Sequence, residues 1–169
     1  VRGGVVRPHA GARVSPFRSE GAWALDGVAV RNASTVGVSA ARSSGNFTVA
    51  ESTVSRAGDS HGIDATNATG AWAVTDTTVV GSGANDNATG AGVFARGTEG
   101  AWRVAGSRVR ANEGPGVLAA QSTGNFTVEG TTVRANNGTG VVAVGSEGDW
   151  TVRGGEVVSN SGGVDATPV

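Results

Sequence analysis

Valine recurs along this chain at fixed distances from a repeated aromatic. A Gly-x-aromatic triplet appears as GAW ending at Trp23, GNF at Phe47, GAW at Trp72 and Trp102, GNF at Phe126 and GDW at Trp150. The intervals between these aromatics are 24, 25, 30, 24 and 24 residues. Two residues after each comes Leu25, Val49, Val74, Val104, Val128 or Val152, and seven after each comes Val30, Val54, Val79, Val109, Val133 or Val157. A third apolar beat holds Val38, Ile63, Val93, Val117, Val141 and Val164. It is followed two residues on by Ala40, Ala65, Ala95, Ala119, Ala143 and Ala166. Val1, Val6 and Val14 fit the same template ahead of the first aromatic.

Within a beat the apolar positions alternate with polar ones, as in Phe126-Thr127-Val128. Alternation rich in β-branched residues predicts short strands with one buried face. Gly, Asn, Ser and Thr between them predict turns. No segment carries the pattern of a ten-residue helix. The period therefore predicts a β-solenoid of about seven coils, starting near residues 1, 21, 45, 70, 100, 124 and 148, with three short strands per coil. One coil cannot bury its own apolar face; stacking puts valine on valine and aromatic on aromatic. At a strand spacing of ~4.8 Å the rod is roughly 34 Å long, one domain over 1–169. About six extra residues in 81–92 predict a bulge from one face.

The pattern Gly-x-Trp/Phe-x-Val, then Val, then an Asn/Gly-rich turn, then Gly-Val-x-Ala resembles the right-handed parallel β-helix family. That family includes pectin-lyase-like proteins and the β-helix surface proteins of archaea and bacteria. The resemblance spans the whole chain and implies the fold and the right hand of the coil. It leaves function open among lyases, hydrolases, tailspikes and adhesins. It also implies an internal amide ladder at Asn112, Asn136 and Asn160, which fall 24 residues apart. Trp23, Phe47, Trp72, Trp102, Phe126 and Trp150 share the phase of the buried valines. They are expected as a core stack rather than a sugar-stacking stripe.

Composition narrows the chemistry. With 13 basic and 14 acidic residues in no run of one sign, and a net charge of −1, neither a nucleic-acid patch nor a membrane-surface stripe is expected. Every basic residue is Arg. Absent Cys removes disulfides and thiolate metal sites. No apolar run approaches the ~20 residues of a membrane span. Opening on Val1 with no signal pattern, the chain reads as a processed or excised segment. Neither end offers a capping helix, so its expected partners are further coils of the same chain or copies of itself end to end.

Three features remain as candidate sites. The string GDSHGID at 58–64 sets Asp59, His61 and Asp64 close together, two carboxylates around an imidazole that suit acid–base chemistry. It resembles the His-Gly element of β-helical polygalacturonases. The paired aspartates and Arg-x-Lys element of those enzymes are absent, so no complete catalytic constellation is formed. Asp26, Asp76 and Asp149 share no repeat position, which removes an acidic row for calcium. In the bulge, Asp86 between Asn85 and Asn87 is a metal candidate lacking the further carboxylates calcium needs, and no cofactor is implied. Finally, Asn-x-Ser/Thr occurs at Asn32, Asn46, Asn67, Asn87, Asn125 and Asn137, six times where composition gives roughly two. These are the glycosylation candidates, and cell-surface glycans are the corresponding partner. The leading expectation is a non-enzymatic extracellular stalk, adhesin or filament subunit. The alternatives are a polysaccharide lyase or hydrolase of the same fold, and a viral tailspike shaft.

Overall fold

The structure, a computed structural model, describes residues 2–6, 14–83 and 90–166. Its strands are short and all their pairings parallel, each strand bonding its counterparts one coil away. In the coil of Phe126 they are Phe126–Glu129, Thr132–Arg134 and Thr139–Val144. In the coil of Trp102 they are Trp102–Ala105, Arg108–Arg110 and Val117–Ala120. The register is the one the repeat demands, with Trp102 beside Trp72 and Phe126, and Val117 beside Val93 and Val141. The first two strands of each coil join one 12-stranded sheet, bridged by the long strand Trp23–Arg31; the third strands form a 6-stranded sheet.

The described residues complete about six turns, slightly fewer than the seven expected. Six coils have all their strand segments. The coil ahead of Trp23 contributes only the strand Arg2–Val6 and an isolated bridge from Val14 to Val38. Val6 does pair with Val30, so that partial coil keeps the template.

Each inward column is filled by one kind of side chain. Val49, Val74 and Val104 are fully buried, as are Val79, Val109 and Val133. Burial of such a side chain is worth roughly 1.5–3 kcal/mol. The aromatics stack with centroids 4.4 to 6.0 Å apart and interplanar angles from 0° to 13°. Among the polar columns beside them, two run through the turns after the first and second strands. Asn136 Oδ1 accepts from Asn112 Nδ2 at 2.8 Å, and Asn160 Oδ1 from Asn136 Nδ2 at 2.8 Å, so the expected amide ladder is present. The sequence reading missed the other: Ser52, Thr77, Ser107 and Thr131. Each hydroxyl accepts the backbone N–H of the preceding coil, at 3.1 to 3.3 Å from Val28, Ser52, Thr77 and Ser107. These hydroxyls satisfy buried backbone donors that the corners leave outside the sheets.

The corners follow from backbone conformation. Gly27, Glu51, Asp76, Gly106, Gly130 and Gly154, each four residues past its aromatic, all have positive φ. So do Asn32, Arg56, Gly81, Ala111, Ala135 and Ser159, nine past it. A left-handed residue at the same place in every coil turns the chain without breaking the stack. The extra residues of the third coil leave this path at Gly83 and rejoin it at Gly90, where a Cβ would run into Gly83 itself. The insertion thus has a pinched base, and the register of later coils is unaffected.

Candidate functional site

A recess of about 570 Å³ lies over the outer face of the aromatic-bearing strands, between two columns of outward side chains. One column includes Asn46 and Asn125, the other Thr48, Arg103 and Thr127. The rings below belong to the core: Phe47, Trp72, Trp102 and Phe126 are 2–4 % exposed. A stacking platform for sugars would need open ring faces, and these faces are taken by the neighbouring rings. Asn46 Oδ1 accepts from Ala71 N at 3.0 Å, and Asn125 Oδ1 from Asp149 N at 2.9 Å. Each asparagine therefore braces the next coil with its oxygen.

Of Asp59, His61 and Asp64, the last two lie near one another, but their polar atoms face different tasks. His61 Nδ1 accepts the backbone N–H of Ala91 at 3.1 Å, which puts its own proton on Nε2. Its ring stacks on Phe94, centroids 3.9 Å apart. Burial lowers its pKa from the ordinary imidazole value, and the nearby Asp64 carboxylate offsets this in part. Asp64 Oδ1 accepts from both the N and the Oγ1 of Thr66, at 2.9 and 2.6 Å, closing its own turn. Asp59 is exposed. The arrangement explains a neutral, fixed imidazole at the edge of the smaller sheet, between two coils.

Of the six sequon asparagines, Asn32, Asn46, Asn67, Asn125 and Asn137 are all exposed. Asn32 and Asn67 occupy left-handed corners, at φ 53° and 54°. Asn87, together with Asn85 and Asp86, lies outside the described residues. Among those described, no three His, Asp or Glu side chains gather as a metal site. No described helix is long and apolar enough to cross a membrane. Glu129 and Arg153 form an exposed ion pair, 2.7 Å between Oε2 and a guanidinium nitrogen, which adds little stability.

Coil on coil of parallel strands, with aromatic, valine, hydroxyl and amide columns running along the axis, defines a single-chain parallel β-solenoid. The family model described as the right handed beta helix region matches residues 17–167, and this chain belongs to that family. The fold occurs in enzymes and structural proteins alike. No curated protein and no solved structure matches the chain.

Proposed function

We propose that this chain is a structural β-helix, a stiff rod within an extracellular stalk, adhesin or filament, carrying N-linked glycans on its outward asparagines. The observation that carries this reading is the aromatic stack running unbroken from Trp23 to Trp150, with hydroxyl and amide ladders joining successive coils along parts of its length. Such a stack resists bending, because each coil shares backbone ladders with both neighbours. Exposure of the five described sequon asparagines supports surface modification. Partners on this reading are further coils, copies of the chain, or surface glycans.

The test is the protein as isolated from its own source, viewed by negative-stain electron microscopy and digested for glycopeptide mass mapping. Fibres, or threads on a larger particle, with added hexose mass at Asn46 or Asn125 are expected. Unmodified, monomeric, cytoplasmic particles would overturn the reading.

A further inference from the structure

The arginines are scattered in sequence, yet three meet on one face. Strands Arg108–Arg110 and Thr132–Arg134 pair in parallel, with Arg108 beside Thr132 and Arg110 beside Arg134. Val109 and Val133 between them are fully buried, so alternation turns Arg108, Arg110, Thr132 and Arg134 outward. A strand rises ~3.3 Å per residue and neighbouring strands lie ~4.8 Å apart. The three side chains therefore spring from points within roughly 8 Å of one another, inside a Debye length. Like charges directly opposite on a sheet destabilise it.

No ion pair or side-chain hydrogen bond among the described residues neutralises these three guanidinium groups. Arg153 has Glu129, and Arg96 Nε donates to Gln121 at 3.1 Å, but no such bond holds Arg108, Arg110 or Arg134. With Thr132 and Glu156 they border a recess of about 250 Å³. Glu156 stands at its rim beside Thr132, beyond ion-pair distance of all three guanidinium groups. We infer that this face is an oxoanion site, binding a sulfate or phosphate group, free or as an ester, between the guanidinium groups of Arg108, Arg110 and Arg134.

The chemistry selects the ligand. Arginine presents two parallel N–H groups that match the oxygen pairs of a tetrahedral oxoanion, and Thr132 adds a hydroxyl donor. The recess exceeds the volume of a bare sulfate, leaving room for the group that carries it. A nucleic-acid strand is disfavoured because the charge stops at two coils. The flanking outward positions are Thr78 and Val80 on one side, Glu156 and Val158 on the other. Backbone binding needs a row of phosphate contacts.

The test is a titration of the full chain with sodium sulfate, phosphate, glucose 6-sulfate and glucose 6-phosphate, against chloride at matched ionic strength. Amide and arginine Nε–Hε shifts are followed by NMR. Saturable shifts confined to Arg108, Arg110, Thr132 and Arg134 are expected. Arg110→Gln and Arg134→Gln should each weaken binding about tenfold, as loss of a charged hydrogen bond implies, while Arg153→Gln leaves it unchanged. Tighter binding of the 6-sulfate or 6-phosphate than of the free ion identifies an esterified ligand; equal binding identifies the free anion. As an independent readout, Arg110→Gln should raise the urea midpoint in low-salt chloride buffer and lose that advantage in saturating sulfate. Equal response to chloride, or full affinity in Arg110→Gln and Arg134→Gln, would overturn the site.

Discussion

The side-chain oxygen of Asn136 accepts two hydrogen bonds from Asn112, 2.8 Å from its Nδ2 and 3.1 Å from its backbone nitrogen. Asn136 Nδ2 in turn donates to Asn160 Oδ1 at 2.8 Å and to the carbonyl of Val109 at 3.3 Å. One amide thus ties three coils, at a position only 3 % exposed. Where the ladder begins, Asn112 Oδ1 accepts from Ser82 N at 3.0 Å, so a smaller side chain ends the column without leaving that donor bare.

Replacing Asn136 by alanine strands both donors of Asn112 in the core. Leaving buried groups unpaired costs about 1–3 kcal/mol each, and some relaxation is expected, so Asn136→Ala should lose about 2–4 kcal/mol. Asn160→Ala, at a half-buried position, should lose about 1 kcal/mol. Urea unfolding of the two variants, with the Asn112→Ala/Asn136→Ala cycle, checks both values. Strict additivity of that cycle would mean the ladder is not a coupled network.

The aromatic column makes an opposite demand. Trp102 lies 4.6 Å from Trp72 and 4.4 Å from Phe126, and its buried Nε1, like that of Trp72, has no hydrogen-bond partner among the described residues. Trp102→Ala opens a cavity and should cost about 3–5 kcal/mol. In Trp102→Phe the lost ring area is offset by removal of an unpaired donor, and Phe47 and Phe126 already fit this column. That variant should fall within about 1 kcal/mol of the parent. A loss near half the alanine value in thermal or urea unfolding would mean that the indole N–H is paired after all.

Two glycines separate contact from conformation. A Cβ on Gly100 would collide with the carbonyl of Gly70 in the coil before, a backbone atom held in place by the stack. Gly130 has φ 54° and open space, its nearest neighbour being Gly106 N at 3.8 Å from a built Cβ. Gly130→Ala therefore meets only the left-handed penalty, about 1 kcal/mol, as Ala111 and Ala135 already do at other corners. Gly100→Ala meets no such strain but overpacks a fixed backbone carbonyl, at about 1–3 kcal/mol or more. Urea midpoints should rank Gly100→Ala clearly below Gly130→Ala.

The repeat was legible because inward positions are uniform: a column accepts only what stacks, so Val104 repeats Val74, and Gly100 repeats Gly70. The hydroxyl column escaped notice because Ser52 and Thr77 read equally well as ordinary turn residues, and only their burial distinguishes them. Left-handed corners at Glu51, Arg56 and Ala111 carry no sequence mark, since the stack rather than the residue imposes the conformation. Charge was the least legible. Arg110 and Arg134 stand 24 residues apart in sequence and side by side in space, so a search for runs of one sign passes over them. His61 and Asp64 show the reverse: close in sequence, they are committed to separate local tasks.

His61 offers a test with a definite sign. Burial lowers its pKa below the 6.5 of an exposed imidazole, and Asp64 pulls it partly back. The unfolded chain therefore takes up a proton first as pH falls. The histidine's contribution to stability is whole above pH 6.5 and is lost as pH drops from there through the folded pKa, then levels off. Urea midpoints measured from about pH 8 down to about pH 5 should show this decline. His61→Asn, whose Oδ1 can accept the Ala91 N–H, should flatten it. Asp64→Asn removes the charge that favours the imidazolium yet keeps an acceptor for Thr66, so the decline should deepen. A parent curve flat across this range, or Asp64→Asn shallower than the parent, would show that the imidazole is not held neutral between its two coils.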